Sequence, residues 1–327
     1  MQRRRFITLL CSSATAGWPL LAHAQQSAMQ VIGFLSGRSE VEAANDLRAF
    51  YRGLNEAGYI ATKNVAVEYR WADGDYDRLP TLTTELVQRK VSVIAAGGLA
   101  PALAAKAATS TIPIVFVVGD DPVRAGLVLS LNRPDSNLTG IALTAGPLPS
   151  KRLQLVHELI PTAKTVGVLI NPNNAVAEED ALIVQLAAHT MGLQLVIARA
   201  TAEKDFEPVF ATLAQAQIGA LLVNTDAFFT SRRDLLVAHA KRYSIPAIYA
   251  FRHYSAAGGL MSYGPSLSEA YRDVGRYTGR VLKGARPVEL PVEQATKFEL
   301  VINVKTAHTL GLTIPPTLLA RADELIE

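Results

Sequence analysis

The chain has 327 residues, enough for two domains, and its 49% hydrophobic and 19% charged residues are typical of a folded protein with a large core. Three arginines within residues 1–24 account for the whole formal net charge of +3, so the rest of the chain is formally neutral. The sequence therefore does not predict nucleic-acid binding. The one cysteine, Cys11, lies in the same segment, which excludes disulfides and thiolate chemistry from the rest of the chain. No later apolar run is long enough to span a membrane.

Residues 1–24 have the pattern of a signal peptide. Three arginines and Phe6 precede a stretch of apolar and small residues, and Ala22-His23-Ala24 forms a small-x-small cleavage site. The leading arginines resemble a twin-arginine (Tat) signal, and a Sec signal fits nearly as well. We therefore expect export to the periplasm, with Gln25 as the first mature residue.

The remaining sequence repeats one pattern: an apolar strand, a polar turn and an amphipathic helix. The first copy starts at residues 31–37 and the second at residues 165–174, and the segments after each copy follow at similar offsets. This alternation predicts two α/β lobes with parallel sheets that bind ligands at the carboxyl ends of their strands. Two unrelated α/β units are the alternative.

In the first half, two strand ends carry candidate binding groups. Strand 91–96 runs into Gly97-Gly98-Leu99-Ala100, where a helix begins whose free N–H groups suit an anion or a carboxylate. Strand 114–118 ends just before Asp120 and Asp121. Two roles are predicted for these carboxylates: they bind an ammonium or hydroxyl group of a ligand, or they cap the next turn.

In the second half, residues 144–149 have the composition of a hinge, and the strand that follows it ends near Asn171 and Asn174. Residues 258–264 form a short strand between glycines, which we interpret as a return crossing to the first lobe. Strand 298–303 is a further crossing candidate, and a terminal helix is predicted from Pro316.

Catalytic patterns are missing from the sequence. It contains no Gly-x-Ser-x-Gly, no P-loop and no dinucleotide-binding glycine motif, and its histidines are not at metal-ligand spacing. We therefore predict a protein that is not an enzyme and has no metal and no cofactor. A two-lobed chain with polar and aromatic residues at facing strand ends suggests a cleft that closes on a small molecule.

Several longer segments resemble a known family. They are Val118–Val123, Asn171–Asn174, Gly258–Ser266, Leu290–Asn303 and Leu310–Pro316. They are similar to the substrate-binding proteins of a bacterial ABC importer family that includes binders of tryptophan and tyrosine. The chain departs from the family in an additional Asp at 120–121 and in Ala175, where relatives often have Pro.

The resemblance implies the type I periplasmic binding protein fold, an α/β architecture of two doubly wound parallel-sheet lobes joined by a three-segment hinge. It places residues 30–144 and 262–293 in lobe 1, and 145–261 and 294–327 in lobe 2. The implied protein is a monomer that delivers a small organic ligand, such as an amino acid, to a membrane permease and its ATPase. A sensory protein that presents its ligand-bound form to a membrane receptor is the alternative.

For an amino acid ligand, the sequence suggests ten candidate contacts. Backbone N–H groups would hold the carboxylate, one of two aspartates the ammonium, aromatic rings the walls, and a hydroxyl and an amide would add hydrogen bonds. In that order they are Gly98, Leu99 and Ala100; Asp226 or Asp120; Phe228, Tyr249 and Phe251; and Ser36 and Asn174.

Overall fold

A computed structural model describes residues 29–134, 136–144 and 148–327. The predicted signal peptide at residues 1–24 lies outside the described residues, as do residues 145–147 of the predicted hinge. No helix within the described ranges has the length and apolar character needed to cross a membrane.

The first lobe is built on a parallel sheet. With strands numbered in chain order, it contains β1 (Gln30–Ser36), β2 (Val65–Trp71), β3 (Val93–Gly97), β4 (Ile114–Val118), β5 (Leu138–Ala142) and β11 (Glu293–Gln294). In the described part of the chain the strands lie in the order β2-β1-β3-β4-β5-β11, and all these pairs are parallel. β3 and β4 are buried along their whole length, as expected for central strands covered on both faces.

Within the described residues, four helices cover this sheet: α1 (Glu40–Glu56), α2 (Leu79–Gln88), α3 (Leu99–Ala108) and α10 (Leu267–Leu282). α1 begins at the capping box of Ser39 and Glu42, in which the Glu42 carboxylate accepts the Ser39 N–H at 3.0 Å. α1 and α10 then pack backbone to backbone, because Gly53 and Gly275 leave no room for a Cβ between them.

The second lobe has a mostly parallel sheet. Its strands are β6 (Thr165–Ile170), β7 (Gln194–Arg199), β8 (Ala220–Val223), β9 (Ala247–Tyr249), β10 (Met261–Pro265), β12 (Phe298–Asn303) and β13 (Glu324–Ile326). Among the described residues they lie in the order β13-β12-β10-β9-β8-β6-β7, and only the β10–β12 pair is antiparallel.

The helices of the second lobe are shorter on average. They are α4 (Leu148–Leu159), α5 (Ala177–Thr190), α6 (Phe206–Gln215), α7 (Ala227–Ser231), α8 (Arg233–Arg242), α9 (Arg252–Ala256), α11 (Val304–Thr309) and α12 (Pro316–Leu319). The predicted terminal helix from Pro316 is thus four residues long, and the sequence patterns missed the strand β13 that follows it.

The structure corrects both predicted lobe boundaries near the C-terminal end. Residues 262–265 do not return to the first lobe, because β10 pairs with β9 and β12 in the second sheet, and the chain crosses only after Pro265. Gln294 in turn belongs to the first sheet, where it pairs with Ala142. Gly264 of this strand serves close packing, since a Cβ there would collide with the carbonyl oxygen of Ala250.

One apolar core cluster continues from lobe to lobe. It includes Phe34 and Phe50 of the first lobe and Phe206 and Phe229 of the second, all at most 1% exposed. The two lobes are therefore in contact over apolar surface as well as through the crossing segments.

Close packing of α1 on α10 predicts a sensitive position. Gly275→Ala places a methyl group against the carbonyl oxygen of Phe50, and the forced separation of the helices should cost about 1–3 kcal/mol of unfolding free energy. Urea unfolding measures this loss of free energy. Gln185→Ala on the exposed face of α5 is the control and should change the free energy by less than about 0.5 kcal/mol. Equal stability of the two variants would contradict this packing.

Candidate functional site

A cavity of about 90 Å³ lies between the lobes, at the carboxyl ends of the parallel strands. The first lobe contributes the ends of β1, β3 and β4, and the second contributes the ends of β6, β8 and β9. Its polar lining comes from Arg38, Tyr76, Asp120, Asn173, Asn174, Thr225, Asp226 and Thr230. Its position agrees with the edge at which open α/β sheets bind ligands.

The start of α3 offers two unused N–H groups to this cavity. Gly98, at φ +119° in the left-handed region, turns the chain from β3 into the helix. Its own N–H is bonded to the carbonyl of Val117 at 2.9 Å, so Gly98 cannot donate to a ligand as predicted. The N–H groups of Leu99 and Ala100 have no acceptor within the described ranges, and the next residue, Pro101, has no N–H. Two adjacent donors with the helix dipole behind them can bind a carboxylate.

Asp120 and Asp121 have different roles. The Asp121 carboxylate accepts the N–H of Val123 at 2.9 Å and therefore caps the turn after β4. Asp120 is 5% exposed and lines the cavity. Burial, together with the nearby carboxylates of Asp180 and Asp226, raises the pKa of Asp120 to about 8. Of the two alternatives left open by the sequence, the turn-capping role thus applies to Asp121.

Asp226 also lines the cavity, but its oxygens are already engaged. It is the N-cap of α7, accepting the Phe229 N–H at 3.2 Å, and it accepts the Asn171 amide at 3.1 Å. Its other carboxylate oxygen accepts the Tyr76 hydroxyl at 3.2 Å. Burial raises the pKa of Asp226, while these hydrogen bonds oppose the shift.

Tyr76, which the sequence did not single out, connects the two lobes. It belongs to the first lobe, in the turn before α2, and its hydroxyl donates to Asp226 and accepts the Phe228 N–H at 2.9 Å. Both partners belong to the second lobe, about 150 residues away in sequence. The hydroxyl therefore has these partners only while the cleft is closed.

Charged contacts cross the cleft on either side of the cavity. Arg232 of the second lobe donates to Glu42 at 2.8 Å and to the carbonyl of Asp73 at 3.0 Å. In the opposite direction, Arg124 of the first lobe pairs with Asp180 of the second. The described conformation is consequently the closed form of the cleft.

A glycine at one strand end allows the lobes to approach closely. A Cβ at Gly119, after β4, would collide with the methyl group of Thr225. A Cβ at Gly98 would lie 3.5 Å from the Cβ of Ala227, an ordinary contact, so the lobe contact does not require glycine there. The segment Thr225–Ala227 of the second lobe thus lies directly against the backbone of the first.

Arg38 is a second residue that sequence reasoning missed. It follows β1, is 4% exposed, and donates from Nη2 to Asp46 at 2.7 Å and to the Tyr271 hydroxyl at 3.4 Å. Nε and Nη1 have no acceptor among the residues that the structure describes, and Arg38 lines the cavity. The buried Asp46 shares a face of α1 with the buried Ala43 and Phe50.

Three predicted contacts are not part of the cavity lining. The Ser36 hydroxyl accepts the Arg38 N–H at 3.1 Å, so it supports the turn after β1. Phe228 packs on Phe206 with ring centroids 5.6 Å apart, and Tyr249 stacks on Tyr254 at 4.5 Å. β9 ends at Tyr249, which faces the core, and it is Phe251 beyond the strand end that reaches the cavity. Leu99, Ala100, Asp120, Asn174 and Asp226 line the cavity as well.

The sequence is similar to a known protein family and to a curated protein. The profile of the family described as ABC transporter substrate binding protein matches residues 28–326. The chain is 27% identical to a tyrosine-binding protein of Clostridioides difficile (strain R20291) over 266 residues, 81% of this chain and 76% of that protein.

Two solved structures share the fold. A conserved domain protein of Vibrio cholerae has a TM-score of 0.85 and 28% identity, covering 91% of this chain and 99% of the other. An ABC domain of Streptococcus pneumonia in complex with L-Trp has a TM-score of 0.83 and 24% identity with the same coverage. The predicted type I periplasmic binding protein fold is confirmed.

The raised pKa of Asp120 predicts a pH dependence of stability. Its folded pKa of about 8 exceeds the unfolded value of about 3.9, so the native state holds the proton more tightly and ionisation at rising pH destabilises it. Asp120→Asn should therefore gain stability relative to the parent chain as the pH rises from about 5 to 8, and the gain should level off above 8. Urea unfolding at a series of pH values measures the difference. A difference that does not change with pH would contradict the assignment.

Proposed function

The chain belongs to the ABC transporter substrate-binding protein family, whose members bind solutes and are not enzymes, and from this premise we propose that it carries a small α-amino acid to a membrane permease. The observation that carries the proposal is the pairing, in one cavity between the lobes, of two free N–H groups at a helix start with a buried carboxyl group. A zwitterion has a complementary group for each. The named relatives, a tyrosine-binding protein and a structure in complex with L-Trp, are associated with amino acids as well.

The carboxylate of the ligand would lie at the start of α3. The N–H groups of Leu99 and Ala100 point out of the first turn, where a negative charge is also favoured by the helix dipole. The unused Nε and Nη1 of Arg38 are additional donors in the lining of the same cavity. Charge-assisted bonds of this kind are about twice as strong as neutral ones.

The ammonium group would bind Asp120 in preference to Asp226. Asp226 already accepts hydrogen bonds from Phe229, Asn171 and Tyr76, whereas no cation within the described ranges forms an ion pair with Asp120. An ammonium beside Asp120 would stabilise the ionised carboxylate and bring its raised pKa down again. Binding should therefore release a proton at neutral pH.

Delivery to a permease would use the closed form. Cross-cleft contacts of Tyr76, Arg232 and Arg124 bring the two lobes into one surface that a membrane partner can distinguish from the open cleft. Export through the signal-like residues 1–24 would place the mature chain in the periplasm, where such a partner is reached.

A panel of ligands tests the binding proposal. Calorimetry of the mature chain, residues 25–327, should detect at least one amino acid, whereas the corresponding carboxylic acid without an amine and the amine without a carboxylate should bind far more weakly. Asp120→Asn should lower the affinity for the amino acid roughly 10- to 100-fold, because a charge-assisted hydrogen bond is lost. Asp121→Asn, a change of the neighbouring carboxylate outside the cavity, is the control and should leave the affinity unchanged.

Other outcomes would be decisive. If no amino acid binds the folded chain, or if Asp121→Asn weakens binding as much as Asp120→Asn, the proposed site is wrong.

Transport is tested separately by uptake of the labelled amino acid in cells that lack the gene. Uptake should return with the parent gene and not with Asp120→Asn. Normal uptake without the gene would instead favour a sensory role.

Closure can be tested by removing one hydroxyl group. Tyr76→Phe deletes the donor to Asp226 and the acceptor of the Phe228 N–H, so the amino acid should bind about tenfold more weakly. Tyr59→Phe, which removes a hydroxyl remote from the cavity, is the control. Small-angle scattering should show that the Tyr76→Phe protein needs a higher ligand concentration to compact, and identical curves would exclude a role of Tyr76 in closure.

A further inference from the structure

We infer that Arg152 is a positioning residue for closure, which bonds the point where the second lobe touches the first to the segments that cross between the lobes. The inference concerns how firmly the closed form holds the amino acid of the proposed function, and it rests on that function. Three features support it: the place of Arg152 in the chain, its bond to Thr225, and the burial of its charge.

Arg152 lies between two of the crossings. The chain passes from the first lobe to the second between Ala142, at the end of β5, and Leu148, at the start of α4, and Arg152 is near the start of that helix. Its Nε donates to the carbonyl of Tyr263 in β10 at 2.8 Å, just before the chain leaves the second sheet at Pro265. One side chain thus connects the end of the first crossing with the start of the second.

The same guanidinium reaches the cleft. Its Nη1 donates to the hydroxyl of Thr225 at 3.2 Å. The methyl group of Thr225 is the one with which a Cβ at Gly119 of the first lobe would collide. Thr225 lines the ligand cavity, whereas Arg152 lies behind it. Arg152 is therefore placed to act on the cavity through Thr225.

The charge of Arg152 is buried without an ion pair. The residue is 2% exposed, no carboxylate in the described part of the chain forms an ion pair with it, and Nη2 has no acceptor there. Burial lowers its pKa to about 10, so the guanidinium stays charged at neutral pH. A buried charge of this kind costs stability, and an apolar side chain of similar volume would fill the space. The two hydrogen bonds are what an apolar side chain would not supply.

Those two bonds require the fork of an arginine. Nε and Nη1 reach acceptors on different segments, whereas a lysine offers a single nitrogen. A Cβ at Gly264 would lie 3.5 Å from Nη2, so the guanidinium packs against the backbone of β10. The guanidinium thereby holds the Thr225 hydroxyl at a fixed distance from the second crossing. Without it, Thr225 would be less firmly held against Gly119, and the closed form would open more readily.

Release of bound amino acid tests the inference. The mature chain is loaded with a radiolabelled mixture of L-amino acids, and an excess of the unlabelled mixture is added. Arg152→Met removes both bonds and should raise the dissociation rate about 10- to 100-fold, because hydrogen bonds from a charged donor are lost. The association rate should change far less, since contacts formed on closure act mainly on dissociation. Arg321→Met is the matched control, because Arg321 pairs with Glu158 at the other end of α4, and it should leave both rates unchanged.

A double-mutant cycle shows whether Arg152 acts through Thr225. Thr225→Val removes the hydroxyl that accepts from Nη1 and keeps a methyl group towards Gly119, so it should raise the dissociation rate about tenfold. The chain with both changes should release the label no faster than Arg152→Met alone, because the two residues share one interaction. If the Arg152→Met protein does not fold, Arg152→Lys takes its place in the cycle.

The outcomes separate the inference from the proposed function. If the two substitutions have effects that multiply, or if either variant releases the label at the parent rate, the inference is wrong while the amino acid site stands. If the parent chain retains no label at all, the proposed function fails and the inference fails with it. Thr225→Val leaves Arg152 in place, so its release rate supports or overturns the inference even if neither arginine variant folds.

Discussion

The closed form depends on one steric constraint, the absence of a side chain where the end of β4 touches the second lobe. Gly119 follows β4 directly, and the residue facing it across the cleft is Thr225. A Cβ at Gly119 would collide with the methyl group of Thr225. The hydrogen bonds of Tyr76 and the ion pairs of Arg232 and Arg124 can form only after this approach. Shape complementarity thus precedes the polar contacts that select the closed state.

Two buried carboxylates then acquire different properties from their surroundings. Both face the same cavity, and burial raises the pKa of each. Asp226 is held by three donors and contributes to the structure of α7 and to closure. Asp120 lies among other acids, and its hydrogen bond with Asn174 and the nearby Arg124 do not offset their effect and that of burial, so it keeps its proton up to about pH 8. A cation that arrives beside it favours the ionised carboxylate, which is what a binding site for an ammonium group requires.

The sequence was informative where function depends on position along a strand. Strand ends in a parallel sheet converge on one edge, so Leu99, Ala100, Asp120, Asn174 and Asp226 could be predicted from the alternation of strands and helices. The side of the sheet to which an aromatic ring points at a strand end was harder to predict. Tyr249 and Phe251 have the same period-2 phase, but β9 ends between them and only Phe251 faces the cleft.

Two residues of the site could not be predicted from sequence patterns. The role of Tyr76 depends on partners that lie about 150 residues away in the chain. Arg38 was equally hidden, since its role depends on a buried Asp46 within an otherwise apolar helix face.

The position of α10 in the chain has a consequence for the order in which the protein can fold. α10 packs on α1 and on the first sheet, yet it follows β6–β10 of the second lobe in sequence. During synthesis, the first lobe must wait for residues up to Leu282 before α1 has its partner, and for Glu293–Gln294 before its sheet is complete. By then the ribosome has already made most of the second sheet. The lobe that begins first is finished late, so its packing can be completed only when translation is nearly over.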